Sequence, residues 1–176
     1  MSRLYWIEIS AAGRIAIMAR PRAGDWLEAE IQAWKDLGID VVVSLLEAEE
    51  VAELALRQQA GHCRARGIDF ISFPIPDRGV PASEIGLLRL ARTLLAAVQD
   101  GRSVAIHCRA GIGRSSLLAA SVLICSGMPA EDALALIRNA RGLSVPDTDA
   151  QRDFVLGFGR LCRDQVLRSD AKPQDG

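Results

Sequence analysis

The sequence predicts an α/β fold in which a mainly parallel central sheet is flanked by helices. Two observations carry that prediction. Short apolar runs alternate with longer stretches of helical periodicity, the order that builds a parallel sheet through crossover helices. Val41, Val42, Val43, Leu45 and Leu46 form an apolar run with no polar face, as expected of a strand covered on both sides. The chain has 176 residues, 49% of them hydrophobic, with no internal repeat or low-complexity block. One globular domain over residues 1–168 fits that length, with a polar tail at 169–176 expected to fray.

The elements follow in order. Residues 4–9 and 14–18 read as two strands around a turn at Gly13. Asp25 is placed to cap a helix carrying Leu27, Ile31, Trp34 and Leu37 at helical spacing, closed by Gly38. After the strand at 41–46, an acidic helical segment starts near Glu47 and breaks at Gly61, and residues 68–73 read as the next strand. Pro74-Ile75-Pro76-Asp77-Arg78-Gly79-Val80-Pro81 has too many prolines for helix or central strand and reads as a stiff loop. Ser83 caps a helix running to Val98, and residues 103–107 form a short strand. Helices are expected over about 114–125, from Pro129 to about 139, and over about 149–167. Trp6, Trp26 and Trp34 are expected in the core.

Bulk charge points to no nucleic-acid surface, since the formal net charge is −1. Four cysteines at 63, 108, 125 and 162 show neither a CxxC pair nor zinc-ligand spacing, so no metal is expected. With no basic segment followed by a long apolar run near the N-terminus, the expected setting is cytoplasmic and reducing, without a membrane partner. Cys125 and Cys162 read as core or helix-face residues.

The chemistry concentrates in Val104-Ala105-Ile106-His107-Cys108-Arg109-Ala110-Gly111-Ile112-Gly113-Arg114-Ser115-Ser116. A buried strand delivers Cys108 to a sheet edge, five residues separate it from Arg114, and a helix starts at once. Gly111 and Gly113 permit the backbone angles that turn the N–H groups of residues 109–114 (Arg109, Ala110, Gly111, Ile112, Gly113 and Arg114) inward, which makes an anion cradle at a helix N-terminus. Thiols at such positions ionise more readily than free cysteine. Arg114 can clamp two oxygens of a bound phosphoryl group with its planar fork. Ser115 can hydrogen-bond the thiolate and ease its departure, and His107 is expected to support the loop through backbone contacts rather than act as a base. The stretch contains no GxxxxGK[ST], and the Gly111–Gly113 pair lacks the third glycine of a dinucleotide fingerprint.

His107-Cys108-Arg109-Ala110-Gly111-Ile112-Gly113-Arg114-Ser115 resembles the HCxxGxGR[ST] signature of the cysteine-based protein tyrosine phosphatase superfamily. Chain size and cysteine position are similar to the dual-specificity branch, especially its kinase-associated-phosphatase-like group. The resemblance implies the phosphotyrosine protein phosphatase fold, no cofactor, and a phosphorylated protein or small phosphomonoester as substrate, with phosphate or sulfate able to occupy the site. It implies a general acid on the loop 31 residues before the nucleophile, which is Asp77, and a water-orienting glutamine at Gln151. Arg78 is expected to be solvated, and Asp147 and Asp149 to cap the last helix. Arg64, Arg66, Arg138 and Arg141 are candidates to frame the mouth. The resemblance also raises a protective Cys63–Cys108 disulfide, for which sequence cannot supply the separation.

Phosphoinositide and RNA 5′-triphosphate phosphatases share this loop. Lipid-directed relatives often carry lysines inside it, whereas here only Arg109 among the variable positions is basic, and the near-neutral charge weakens the RNA reading. A non-catalytic phosphate-recognition module would lack Cys108, Arg114 or Asp77, and all three are present. The leaning is to phosphotyrosine, with phosphoserine and phosphothreonine open.

Overall fold

The chain is described by a computed structural model covering the backbone of residues 2–170 and the side chains of residues 2–162. Among the described residues five strands form one sheet: β1 (Tyr5–Ile7), β2 (Arg14–Met18), β3 (Val41–Ser44), β4 (Asp69–Ser72) and β5 (Ser103–His107), in the order β1-β2-β5-β3-β4. Only β1 runs antiparallel to its neighbour. Every residue of β3 and β5 is buried, which is why these central strands read as unbroken apolar runs. The register sets Met18, His107, Ser44 and Ser72 level, so β2, β5, β3 and β4 all end along one edge. Ligands of open parallel sheets bind outside that edge.

The α-helices among the described residues are α1 (Leu27–Asp36), α2 (Ala48–Glu53), α3 (Gln59–Ala65), α4 (Glu84–Gln99), α5 (Arg114–Cys125), α6 (Ala130–Arg141) and α7 (Asp149–Asp170). Alternate strand residues split the core into two layers. Ile15, Ile17, Val41, Val43, Val104 and Ile106 pack against α4, α5, α6 and α7. Met18, Val42 and Ala105 pack against α1 and α3, around the fully buried Trp34. All residues of α5 from Arg114 to Ile124 are buried, since neighbouring helices enclose the side that the sheet leaves open.

Local expectations fail in four places. Asp25 lies in a 3-10 turn (Gly24–Trp26), and α1 starts behind it with no side-chain cap. The acidic segment forms two helices that part around Ala55, held at φ +53°, while Gly61 lies within α3. Trp26 is 60% exposed, with the Arg22 guanidinium 4.8 Å from its ring, so it is not core. Thr148 caps α7 by accepting the Gln151 N–H at 3.2 Å, which leaves Asp147 free for an ion pair with Arg78. Ser83 does cap α4, accepting the Gly86 N–H at 3.0 Å. Of the tail expected at 169–176, the first two residues end α7, and 171–176 lie outside the described residues.

Candidate active site

Cys108 follows the last residue of β5, and residues 108–113 curl beneath the N-terminus of α5. Two glycines allow the curl. Gly111 has φ +68°, and a Cβ there would stand 2.6 Å from the Met18 carbonyl oxygen. A Cβ on Gly113 would stand 2.7 Å from Gln151 Oε1. The Gly111 N–H donates to Cys108 Sγ at 3.3 Å, and Ser115 Oγ lies 3.5 Å from the same sulfur. The sulfur is thus ringed by hydrogen-bonding groups, although Cys108 is only 3% exposed.

Arg114 is buried and held through its two terminal nitrogens. It donates twice to Glu50, at 2.6 and 3.0 Å, once to the Ile75 carbonyl at 3.0 Å, and pairs with Asp77 Oδ1 at 2.9 Å. Burial raises the Glu50 pKa, but hydrogen bonds from Arg114, the Glu47 N–H and Arg109 outweigh it and bring the carboxyl down to about 2. Glu50 is therefore ionised throughout the neutral range. The sequence reading missed it. The available signal was an acid in the first turn of the helix after β3, at the edge where all the parallel strands end.

The proline loop is held over this edge. The Asp77 N–H donates to Glu47 at 3.2 Å, Gln151 Nε2 donates to the Gly79 carbonyl at 2.9 Å, and Arg78 pairs with Asp147 at 3.2 Å. Asp77, Cys108, Arg114 and Gln151 line one pocket of about 190 Å³. Gln151 is fully buried and its Oε1 has no hydrogen-bond partner among the described residues. Such an orphaned acceptor is costly unless water or a ligand satisfies it.

His107 is buried beneath the loop, its Nε2 2.9 Å from the Gln59 side-chain nitrogen. Burial pushes the imidazole pKa down to about 4, opposed by a backbone contact with Cys108 and reinforced by the Arg114 charge. The ring is neutral at physiological pH. Gln59 is a second residue the sequence reading missed. Its signal was weak, one of three polar positions, with His62 and Arg64, in a short helix.

The other charged candidates are distributed differently from expectation. The Arg109 side chain pairs with Glu50 at 3.2 Å and Glu53 at 2.8 Å. Arg141 sits behind the loop, donating to the Gly111 carbonyl at 2.9 Å and the Ala110 carbonyl at 3.4 Å, with its guanidinium 4.1 Å from the Tyr5 ring. By drawing those carbonyls outward it helps aim the loop's N–H groups inward. Arg66 binds Glu28 and Gln32, far from the loop, and Arg64 and Arg138 line other clefts. Cys63 packs in the opposite core layer, across the sheet from Cys108, and burial pushes its thiol up to about 12. That placement removes the support for a Cys63–Cys108 disulfide.

A cysteine beneath a glycine-bearing loop, at the carboxyl end of a central parallel strand and followed by a helix-starting arginine, defines the cysteine-based protein tyrosine phosphatase superfamily, in its dual-specificity-like form. Residues 16–128, well over half of the chain, match the family model Tc-R-P, "Polymorphic toxin system, DSP-PTPase phosphatase", and the chain belongs to that family. It is similar to mouse (Mus musculus) "Protein tyrosine phosphatase domain-containing protein 1", at 33% identity over 142 residues, 74% of this chain and 19% of that protein. The chain thus spans about a fifth of that relative's length. The fold is that of kinase associated phosphatase, with a TM-score of 0.82 at 20% identity over 94% of this chain and 96% of that one. Tk-PTP in its active form is similar at 28% identity, with a TM-score of 0.72 over 89% of this chain and 96% of that one. Among the described residues no helix is long and apolar enough to cross a membrane.

Proposed function

We propose that the chain is a protein phosphatase that hydrolyses phosphotyrosine monoesters, and also phosphoserine and phosphothreonine, through a cysteinyl-phosphate intermediate. The observation that carries this is the convergence of Cys108, Arg114 and Asp77 on one small pocket. In the first step Cys108 Sγ attacks phosphorus and Asp77 protonates the departing oxygen. The loop N–H groups and the Arg114 fork hold the equatorial oxygens, already oriented before charge develops. In the second step Asp77 takes a proton from water, which Gln151 Oε1 orients, and the S–P bond breaks with Ser115 stabilising the leaving thiolate. A cytoplasmic setting, where thiols stay reduced, suits this chemistry. The engagement of Arg109 by Glu50 and Glu53 leaves no free basic side chain within the loop for additional phosphates, which supports monoesters over inositol polyphosphate or RNA triphosphate.

The test is hydrolysis of p-nitrophenyl phosphate with EDTA present, across pH, followed by a phosphopeptide panel. Asp77→Asn is expected to lower kcat by roughly 10²- to 10³-fold and to remove the basic limb of the pH–rate profile, because a group that must be protonated is gone. An unchanged basic limb would remove Asp77 from the mechanism. No turnover by the folded, reduced chain on either substrate set would favour a phosphate-recognition module.

Arg141→Met keeps the packing over Tyr5 and loses the two hydrogen bonds to the loop. At about 1 kcal/mol each, the inorganic phosphate inhibition constant should rise by up to roughly thirtyfold, with the pH profile unshifted. Inhibition unchanged within twofold would show that the loop holds its shape without Arg141.

A further inference from the structure

Two thiols outside the site face each other where α5 meets α7. Cys125 ends α5, Cys162 stands on α7, and their Sγ atoms are 3.1 Å apart. That is only about 1 Å longer than an S–S bond. Both line a cavity of about 660 Å³ whose walls include Met128 and Leu156 and whose polar members include Glu131 and Arg160. Cys125 is half-buried and Cys162 is 7% exposed, so a small oxidant entering the cavity meets Cys125 with Cys162 directly behind it. Neither Cys63, in the opposite core layer, nor Cys108, ringed by the loop, has a second thiol among its hydrogen-bond partners.

We propose that Cys125 and Cys162 form an intramolecular disulfide when the chain meets a hydroperoxide, and that this bond staples α7 to α5 without involving Cys108. Cys125 Sγ attacks the outer oxygen of the hydroperoxide, which leaves as an alcohol and creates a sulfenic acid. Cys162 Sγ then attacks the sulfenic sulfur. The S–S bond forms, and the departing hydroxide takes the remaining thiol proton to become water. The two thiols lose two electrons and two protons, and the hydroperoxide, gaining them, becomes alcohol and water. Burial, reinforced by the neighbouring Cys162, raises the Cys125 thiol to about 12, so thiolate is scarce and the staple forms slowly, under sustained exposure.

The bond would close the chain across 37 residues, a segment that contains Arg141, which holds the loop, and Gln151, which lines the pocket. Closing a loop of that length is expected to raise Tm by roughly 10 °C.

The experiment uses the full chain carrying Cys108→Ser, so that only the remaining thiols report. It is treated with tert-butyl hydroperoxide, digested with trypsin without reduction and analysed by mass spectrometry, in parallel with thermal melts. Peptide 115–138 linked to peptide 161–163 is expected, together with the Tm rise. Both should disappear when Cys125→Ala is added and, independently, when Cys162→Ala is added. Loss of thiols without that linked pair, thiols that stay free under sustained oxidant, or a Tm rise that persists in either alanine variant would overturn the proposal.

Discussion

Cys108→Ser should lower kcat on p-nitrophenyl phosphate by roughly 10⁴-fold or more while leaving the fold and the hold on inorganic phosphate intact. The size of the effect follows from what surrounds the sulfur. The Gly111 N–H and Ser115 Oγ lie against it, groups that favour negative charge on sulfur but do not accept a proton from a neutral hydroxyl at neutral pH. The nearest imidazole, His107, is buried beneath the loop, engaged with Gln59 and pushed down to about 4. A serine at this position would have no base beside it to activate its hydroxyl. The loop N–H groups and Arg114 are unchanged in the variant, so phosphate affinity measured by calorimetry should stay within a few-fold of the parent. A variant that retained a tenth of the activity would place the nucleophile elsewhere.

Arg114→Lys should reduce kcat/KM by roughly 10³-fold and also lower Tm by several degrees, a combination that a surface charge change would not produce. Arg114 bridges two acids at once, through a two-pronged contact with buried Glu50 and a pair with Asp77. A lysine ammonium is a point charge and cannot reproduce the fork. Lysine keeps the charge but loses the two-pronged hydrogen bonding to buried Glu50, at a cost of about 1–2 kcal/mol. Arg109 also donates to Glu50, at 3.2 Å, and this second contact softens the loss of stability but not the loss of catalysis. Comparing Arg114→Lys with Glu50→Gln separates the two contributions. Glu50→Gln removes the counter-charge but leaves the guanidinium in place, so its kcat/KM should fall less than that of Arg114→Lys. Equal kinetic losses would mean that Arg114 acts only through its placement by Glu50.

Much of this site is legible in the sequence because the loop is local. Cysteine, glycines, arginine and serine fall within eight consecutive positions, and the run of Val104, Ala105 and Ile106 fixes the strand that delivers them. Asp77 can be found because proline stiffens its loop and the parallel sheet puts that loop at the same edge. Glu50 is harder to find, since its meaning lies in a contact 64 residues away along the chain. The role of Arg141 is hidden for the same reason: an arginine in the last turn of a helix looks solvated until the turn is seen to meet the loop. Asp25, Gly61 and Trp26 were misread where a local preference competed with tertiary packing, which decides short helices of this kind. The facing of Cys125 and Cys162 depends on the angle at which α7 crosses α5, which periodicity does not encode.

The proposed mechanism requires a covalent bond between Cys108 and phosphorus. The most direct test mixes the reduced chain with p-nitrophenyl phosphate, quenches it in acid on the millisecond scale, digests it with trypsin and weighs peptide 103–109. That peptide should carry one added phosphoryl group during turnover and lose it as substrate is exhausted. A burst of p-nitrophenol with peptide 103–109 unmodified, or with the phosphoryl group on another peptide, would contradict the account.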